Sequence, residues 1–169
     1  LITTDAVLLN TNRNAGMTRT DYEEKFKQFF GIQRTIWLRD GIENDDTDGH
    51  IDNITRFFQP NAVITAVDDS QPVLRENLNA LKQAGLETLY LPMPDTVKHG
   101  ADPLPASYAN FVVLNDAVLV PVFSQAKKDD RALGILREAF PDRTVMGIDC
   151  RLLLLEGGAL HCLSMHQPA

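Results

Sequence analysis

The chain has 169 residues, of which 44% are hydrophobic and 23% charged, so it is long enough for one globular domain with a sizeable core. Its formal net charge of -7 argues against nucleic acids and anionic membrane surfaces as main partners and suits a small cationic ligand. No apolar run approaches the roughly 20 residues needed to span a bilayer. The two cysteines, Cys150 and Cys162, have neither CxxC nor zinc-ligand spacing. We therefore expect reduced thiols in a cytoplasmic protein without a metal.

The first part of the chain predicts a strand, an amphipathic helix and a second strand. The first strand is expected at residues 1–10. A helix capped by Thr18 or Thr20 then ends at Gly31, and a short strand covers 35–38. Because the sequence opens on a strand without an initiator Met, we expect it to be part of a larger fold.

The second unit adds a strand hairpin before its helix. Strands are predicted at 51–58 and 62–67. A helix follows that Ser70 caps and Gly85 ends, and a strand at 88–91 closes the unit. Each of these signals is local, so the order of the elements is better defined than their ends.

The third unit has the same order as the second. Its predicted elements are strands at 108–114 and 117–123, a helix at 129–140, and strands at 144–148 and 152–155. The helices begin roughly 50 to 60 residues apart, which indicates stacked repeats of one supersecondary unit. Such repeats fit either a propeller-like ring or an open α/β sheet. We expect residues 99–103 to form a loop.

An acidic segment at residues 40–52 contains six acidic residues and no basic one. A calcium-binding loop would use Asn44, Asp46 and Asp48 as its first, third and fifth positions. Its twelfth position would be Thr55, which lacks the carboxylate that this loop needs. A solvated acidic loop is the ordinary interpretation of such a charge run.

A catalytic site is the third interpretation of the same segment. His50 and Asp52 alternate with Ile51 where a strand is expected to begin, so they would share one face of that strand. A carboxylate beside an imidazole stabilises its charged form, which suits general acid catalysis near neutral pH.

A second constellation surrounds Cys162, which follows a pair of glycines ending at Gly158. If residues 160–164 form a strand, His161 points away from Cys162 and is a poor candidate for its base. His50 could serve instead, provided that the fold brings the two segments together. A structural cysteine buried in the core is the alternative.

Four segments resemble, in this order, motifs of the agmatine deiminase and bacterial peptidylarginine deiminase family, in the guanidino-group-modifying or pentein superfamily. They are DDTDGHIDN (45–53), PASYANF (105–111), FPDR (140–143) and GGALHC (157–162). The closing HQPA is also similar to the end of an agmatine deiminase. The resemblance covers essentially the whole chain.

The resemblance implies an α/β fold of repeated ββαβ units, part of the family's five-bladed α/β propeller. Residues 1–169 would then form a single domain, about three of the five units, in the C-terminal part of a larger deiminase catalytic domain. The family's N-terminal half supplies another guanidinium-binding carboxylate and would be a missing partner of this chain. Uncovered edges would favour self-association into a homo-oligomer.

The family's activity implies hydrolysis of agmatine to N-carbamoylputrescine and ammonia, with no cofactor. The terminal motif assigns the nucleophile to Cys162, which would form a covalent thiouronium. The Gly-His-x-Asp motif assigns the catalytic histidine to His50 and a catalytic, guanidinium-binding carboxylate to Asp52. We expect Asp46 and Gly158 to assist in substrate binding.

Two departures from the family pattern bear on substrate choice. The family often has Gly-Gly-Gly-Asn-Ile before the His-Cys pair and Ile-Thr-Gln after it. This chain instead has Glu-Gly-Gly-Ala-Leu at residues 156–160 and Leu-Ser-Met at residues 163–165. Free arginine and peptidylarginine therefore remain open as substrates, and an inactive amine- or calcium-binding module is the alternative without catalysis.

Overall fold

The computed structural model describes residues 1–45 and 47–167 and shows an α/β protein. The strands are β1 (Ile2–Thr4), β2 (Ile36–Leu38), β3 (Thr55–Gln59), β4 (Ala62–Val67), β5 (Glu87–Pro92), β6 (Val97–His99), β7 (Asp102–Leu104), β8 (Val112–Val113), β9 (Ala117–Val122) and β10 (Thr144–Asp149). The α-helices are α1 (Asp5–Leu8), α2 (Arg19–Phe30), α3 (Pro72–Gln83) and α4 (Ala126–Ala139). Two 3-10 helices cover Ile51–Asn53 and Leu153–Glu156.

Two consecutive parts of the chain have the expected ββαβ order. Strand β3 pairs antiparallel with β4, helix α3 crosses over, and β5 returns parallel to β4. Strands β8 and β9, helix α4 and strand β10 repeat this arrangement. In the first part of the chain, β1 and β2 pair in parallel around α1 and α2. Because parallel strands need a crossover connection, the alternation of strands and helices largely determines this topology.

Local sequence determines both ends of α2. The Thr18 side chain accepts from the backbone of Asp21, and the Asp21 carboxylate accepts from the Thr18 amide at 2.7 Å, which together form a capping box. Gly31 ends the helix with a left-handed φ of 68°. The predicted helix and its Thr18 cap are therefore confirmed.

The beginnings of α3 and α4 differ from the prediction. Helix α3 begins at Pro72, which is favoured in the first helical turn, whereas Ser70 bonds to Asp68 and does not cap the helix. Helix α4 begins at Ala126, three residues before the predicted start, and Asp129 in its first turn accepts two backbone N–H groups that precede the helix. Neither N-cap residue, Gln71 of α3 or Gln125 of α4, makes a side-chain capping hydrogen bond.

Several segments predicted as strands have other structures. Residues 5–8 are helical, 51–53 and 153–156 form the 3-10 helices, and 108–111 form a loop before β8. Short apolar runs do not distinguish a buried strand from a buried turn, which explains these errors. Conversely, residues 99–103 lie in the β6–β7 hairpin, where a loop was expected.

Two apolar clusters form the core, one around α4 and β9 and one around α3 and β4. The loop 105–111 is part of the larger cluster, and both Tyr108 and Phe111 are fully buried. The Tyr108 hydroxyl donates to Asp129 of α4 at 2.7 Å. The loop is therefore anchored to the helix, which gives its remaining side chains fixed positions.

Several large apolar side chains lie on the surface. Among them are Phe29, Phe30, Leu152 and Met165, each more than two thirds exposed. A contiguous patch of such side chains would mark a surface for contact with another polypeptide. No helix in residues 1–45 and 47–167 combines the length and apolar character required to cross a membrane.

Candidate active site

Asp52 and Cys162, two of the side chains singled out in the sequence, meet where three separate segments approach one another. Asp52 comes from the first 3-10 helix, Asn110 from the loop before β8, and His161 and Cys162 from the turn after the second 3-10 helix. His161 and Asp52 are 109 positions apart in the chain. Their convergence therefore depends on the packing of the ββαβ units.

Asp52 is buried and has one of its two oxygens engaged. His161 Nδ1 lies 2.7 Å from Asp52 Oδ2, and the Cys162 thiol lies 3.5 Å from the same oxygen. Asp52 Oδ1 is buried and finds no hydrogen-bond partner among residues 1–45 and 47–167. A buried acceptor of this kind normally has a donor, so Oδ1 is the natural place for an N–H group of a ligand.

The charge state of Asp52 follows from its neighbours. Burial acts to raise its pKa, but the hydrogen bond and the charge of His161, assisted by Cys162 and His50, outweigh this effect and lower the pKa. Asp52 is consequently a carboxylate at neutral pH. An anionic group with a free acceptor atom is suited to a planar cation.

Cys162 is exposed, and its sulfur contacts both a carboxylate and an amide. Partial burial of the sulfur and the charge of Asp52 raise the pKa of the thiol, whereas a hydrogen bond from Asn110 Nδ2 at 3.1 Å acts in the opposite direction. Cys150 differs in accessibility and in its surroundings. It is fully buried, and burial raises its pKa to about 11. The two cysteines are therefore distinguished by accessibility and by polar contacts.

Gly158 lies directly against Cys162. A Cβ atom on Gly158 would lie 2.5 Å from the Cys162 Cβ and 2.8 Å from its sulfur, distances that real side chains do not adopt. Glycine is therefore required for the Cys162 side chain to pack against the backbone of residue 158. The expected role of Gly158 in substrate binding remains a prediction.

His50 precedes the first 3-10 helix and does not lie on a strand, so the expectation that it shares a strand face with Asp52 is wrong. Its Nε2 is 2.8 Å from an Arg13 guanidinium nitrogen. His50 is close enough to Asp52 for its charge to lower the pKa of that carboxyl. It thus lies in the neighbourhood of the site, with Arg13 as its hydrogen-bond partner.

The orientation of His161 also differs from the prediction. Residues 160–163 form a turn, so the alternation of a strand does not apply, and His161 bonds to Asp52 beside Cys162. Gly157, with a left-handed φ of 83°, ends the second 3-10 helix before this turn. The imidazole therefore belongs to the site.

The described residues of the acidic segment form an irregular loop. Asp46, the residue of this segment expected to assist in substrate binding, lies outside the described residues. Strand β2 precedes the loop and a 3-10 helix follows it, whereas a calcium-binding loop of the type considered above is flanked by two α-helices. In the described part of the chain, no three His, Cys, Asp or Glu side chains are grouped to hold a metal ion.

Three polar residues of the site were not predicted as functional. Asn53 and Asn110 form buried hydrogen bonds around Cys162, and Asn110 lies within the PASYANF segment, which was the available signal. The half-buried Arg56 donates to the Phe111 carbonyl at 2.8 Å. Burial lowers the pKa of Arg56, while the charges of Asp52 and Cys162 oppose this shift. Nothing in the sequence around Arg56 distinguishes it from a surface arginine.

Comparison with known proteins assigns the class of this protein. Residues 1–168 match the model of the Porphyromonas-type peptidyl-arginine deiminase family, and the chain belongs to that family. The resemblance inferred from the four motifs is therefore confirmed.

Individual relatives are agmatine deiminases. Those of Medicago truncatula and Pseudomonas aeruginosa are each 32% identical to this chain, over 99% and 100% of its length and 53% and 54% of theirs. A substrate-bound form of C. jejuni agmatine deiminase, with serine in place of one cysteine, has a TM-score of 0.89 and 35% identity over 95% of this chain and 50% of that one. The chain spans about half the length of the relatives it matches.

Proposed function

We propose that this chain supplies the nucleophile and one guanidinium-binding carboxylate of a hydrolytic deiminase whose substrate is agmatine. The observation that carries the proposal is the free acceptor Oδ1 of Asp52, on a carboxylate whose other oxygen lies 3.5 Å from the Cys162 sulfur. A guanidinium bound to Asp52 would place its central carbon next to that sulfur. The net charge of -7 favours the approach of such a cation.

Substrate binding begins with the N–H groups of the guanidinium. The resemblance implies that Asp52 binds two of them, but its Oδ2 already accepts from His161. Oδ1 is therefore the first acceptor, and a second contact requires the His161 hydrogen bond to be shared. The cation also offsets the Asp52 charge that raises the pKa of Cys162, so binding promotes formation of the thiolate.

The chemical steps require a nucleophile and a proton donor. The Cys162 thiolate attacks the guanidinium carbon, and the resulting adduct loses one nitrogen as ammonia after His50 transfers a proton to it. Neutral His50 then removes a proton from water. The hydroxide attacks the thiouronium carbon, and collapse of this second adduct breaks the carbon–sulfur bond. The hydroxyl proton is lost to solvent, which leaves the urea group neutral, releases N-carbamoylputrescine and restores the thiolate. His50 leaves its contact with Arg13 to perform these transfers.

The architecture of the whole enzyme is part of the proposal. Two ββαβ units and a parallel βαβ unit fit about three units of a five-bladed α/β propeller, and the chain spans half the length of its relatives. The domain formed by residues 1–169 would then be the C-terminal part of a cytoplasmic enzyme. The remaining units would contribute a second carboxylate and cover the exposed apolar side chains.

Ammonia release by the full-length gene product tests this function. Agmatine, free arginine and a peptidylarginine are compared at equal concentration, and Cys162→Ser serves as the control for contaminating activity. We expect turnover of agmatine with kcat/KM at least about tenfold above the other two, since the relatives are named for agmatine. Preference for peptidylarginine would instead match the family description. Absence of Cys162-dependent ammonia from all three substrates would contradict the proposal.

A further inference from the structure

Arg13 places a guanidinium group against the imidazole of His50. Its Nη2 lies 2.8 Å from His50 Nε2, and the same nitrogen lies 3.4 Å from the Thr47 carbonyl oxygen. Because Nη2 carries two hydrogens, it donates to both acceptors at once. A cationic side chain of the protein itself thus occupies one ring nitrogen of the histidine to which the proposed reaction assigns proton transfer.

The turn that carries Arg13 lies between α1 and α2 and is held on both sides. The amides of Asn12 and Arg13 donate to the side-chain and backbone oxygens of Asn10, at 2.9 and 3.1 Å. On the other side, Asn14 Nδ2 donates at 3.1 Å to the hydroxyl of Tyr22, a buried residue of α2. The Arg13 side chain therefore starts from a defined backbone position.

The chemistry of the two groups determines the protonation state of His50 in this contact. A guanidinium donates hydrogen bonds, never accepts them and stays charged, so His50 Nε2 must be the acceptor. A nitrogen that accepts carries a lone pair and no hydrogen, which leaves the proton of the neutral ring on Nδ1. An imidazolium would direct an N–H group and a positive charge at Arg13, so the contact excludes that form.

We propose that Arg13 is a positioning residue, which holds His50 of the free enzyme as a neutral imidazole with its proton on Nδ1 and a lone pair on Nε2. The inference rests on the proposed function, in which neutral His50 removes a proton from water. Only a ring nitrogen with a lone pair can accept that proton. When His50 gives up the contact with Arg13, Nε2 is the nitrogen that becomes available. Arg13 thus selects the ring nitrogen that exchanges protons.

The test is the tautomer of His50 in the full-length gene product, labelled with nitrogen-15 histidine. Two-dimensional NMR identifies the ring nitrogen that carries the proton, and the signals that are lost in His50→Gln identify His50. At a pH at which the ring is neutral, we expect the proton on Nδ1 in the wild type. Arg13→Met has no donor for Nε2, so the Nε2–H form should become populated. Arg13→Lys keeps a charged donor and should retain the wild-type tautomer.

A chemical measurement follows from the same contact. Diethylpyrocarbonate acylates an imidazole nitrogen with an accessible lone pair, and mass spectrometry of the peptides gives the rate at each histidine. Arg13→Met should raise the rate at His50 by about two- to tenfold, the range that one hydrogen bond is worth. The exposed His99 of β6 is the internal reference. Arg75→Met removes another exposed arginine and should leave both rates unchanged.

The outcomes separate this role from a structural one and from the proposed function. A merely structural contact would leave the tautomer unchanged in folded Arg13→Met, and that result overturns the inference. A neutral wild-type ring with its proton on Nε2 overturns it as well, without any variant. Appearance of the Nε2–H form in Arg13→Met supports it. Neither measurement requires turnover, so the inference can fail in an enzyme that releases ammonia from agmatine and can hold in one that does not.

Discussion

His161 and Asp52 share a hydrogen bond of 2.7 Å between Nδ1 and Oδ2 across 109 positions of sequence. This contact keeps Asp52 anionic in spite of its burial, while Oδ1 has no hydrogen-bond partner among the residues that the structure describes. It also joins the turn that carries Cys162 to the acidic loop. The pair therefore connects the structure of the site with the proposed binding of a cation.

His161→Ala should shift the acid limb of the kcat/KM profile against pH to higher pH. The folded-state pKa of Asp52 is lowered, so its contribution to stability and to cation binding is present above the ordinary value of 3.8 and is lost as the pH falls through the folded pKa. Without His161, burial raises the pKa, and protonation of Asp52 begins at higher pH. The acid limb of kcat/KM against pH measures this shift, and an unchanged limb in a folded variant would count against it.

Cys162→Ala should abolish turnover, whereas Cys150→Ala should retain most of it. Loss of a covalent nucleophile commonly lowers kcat by at least about 10⁴-fold. Cys150 is buried and has a pKa of about 11, so its replacement affects stability more than chemistry. Steady-state rates with agmatine check both variants. A Cys162→Ala enzyme with a tenth of the wild-type kcat would refute the assignment.

Gly158→Ala should lower kcat by about tenfold or more, because the new Cβ would overlap Cys162 and displace its sulfur. Gly134→Ala is the matched control. Gly134 lies within α4, and a Cβ atom there would point into open space, so alanine should leave kcat unchanged and stabilise the helix by about 0.5–1 kcal/mol. Equal rates for the two variants would show that the contact between Gly158 and Cys162 has no influence on catalysis.

Residues 1–169 alone should lack efficient deiminase activity and should self-associate. Side chains such as Phe29, Phe30 and Leu152 are exposed. We also propose that a second guanidinium-binding carboxylate comes from another part of the enzyme. Loss of one charged partner of a desolvated cation costs about 2–5 kcal/mol, or roughly two to four orders of magnitude in rate. Light scattering and ammonia release measure the two effects. A monomer within tenfold of the full-length rate would overturn this prediction.

The sequence predicted the features that depend on local signals. The α2 capping box at Thr18, the alternation of strands and helices, and the motif around Cys162 are all encoded within a few residues. The orientation of His161 was not predictable, because it depends on whether the backbone after Gly157 forms a strand or a turn. The contacts of Asn110 were not predicted for another reason: those to Cys162 span 52 positions and exist only in the folded chain.

The most direct test of the account compares the alkylation of Cys162 by a cationic haloacetamidine with that by neutral iodoacetamide, in the wild type and in Asp52→Asn. In the wild type, we expect Cys162 to react with the haloacetamidine far faster than Cys150, because the amidinium binds Asp52 beside the sulfur. In Asp52→Asn, the preference for the cationic reagent should fall by about 10²-fold or more, since one charge contact is worth about 2–5 kcal/mol. The neutral reagent should react faster at a given pH near neutrality, since removal of the carboxylate lowers the pKa of the Cys162 thiol. An unchanged preference in Asp52→Asn would contradict the claim that Asp52 and Cys162 together form a guanidinium site.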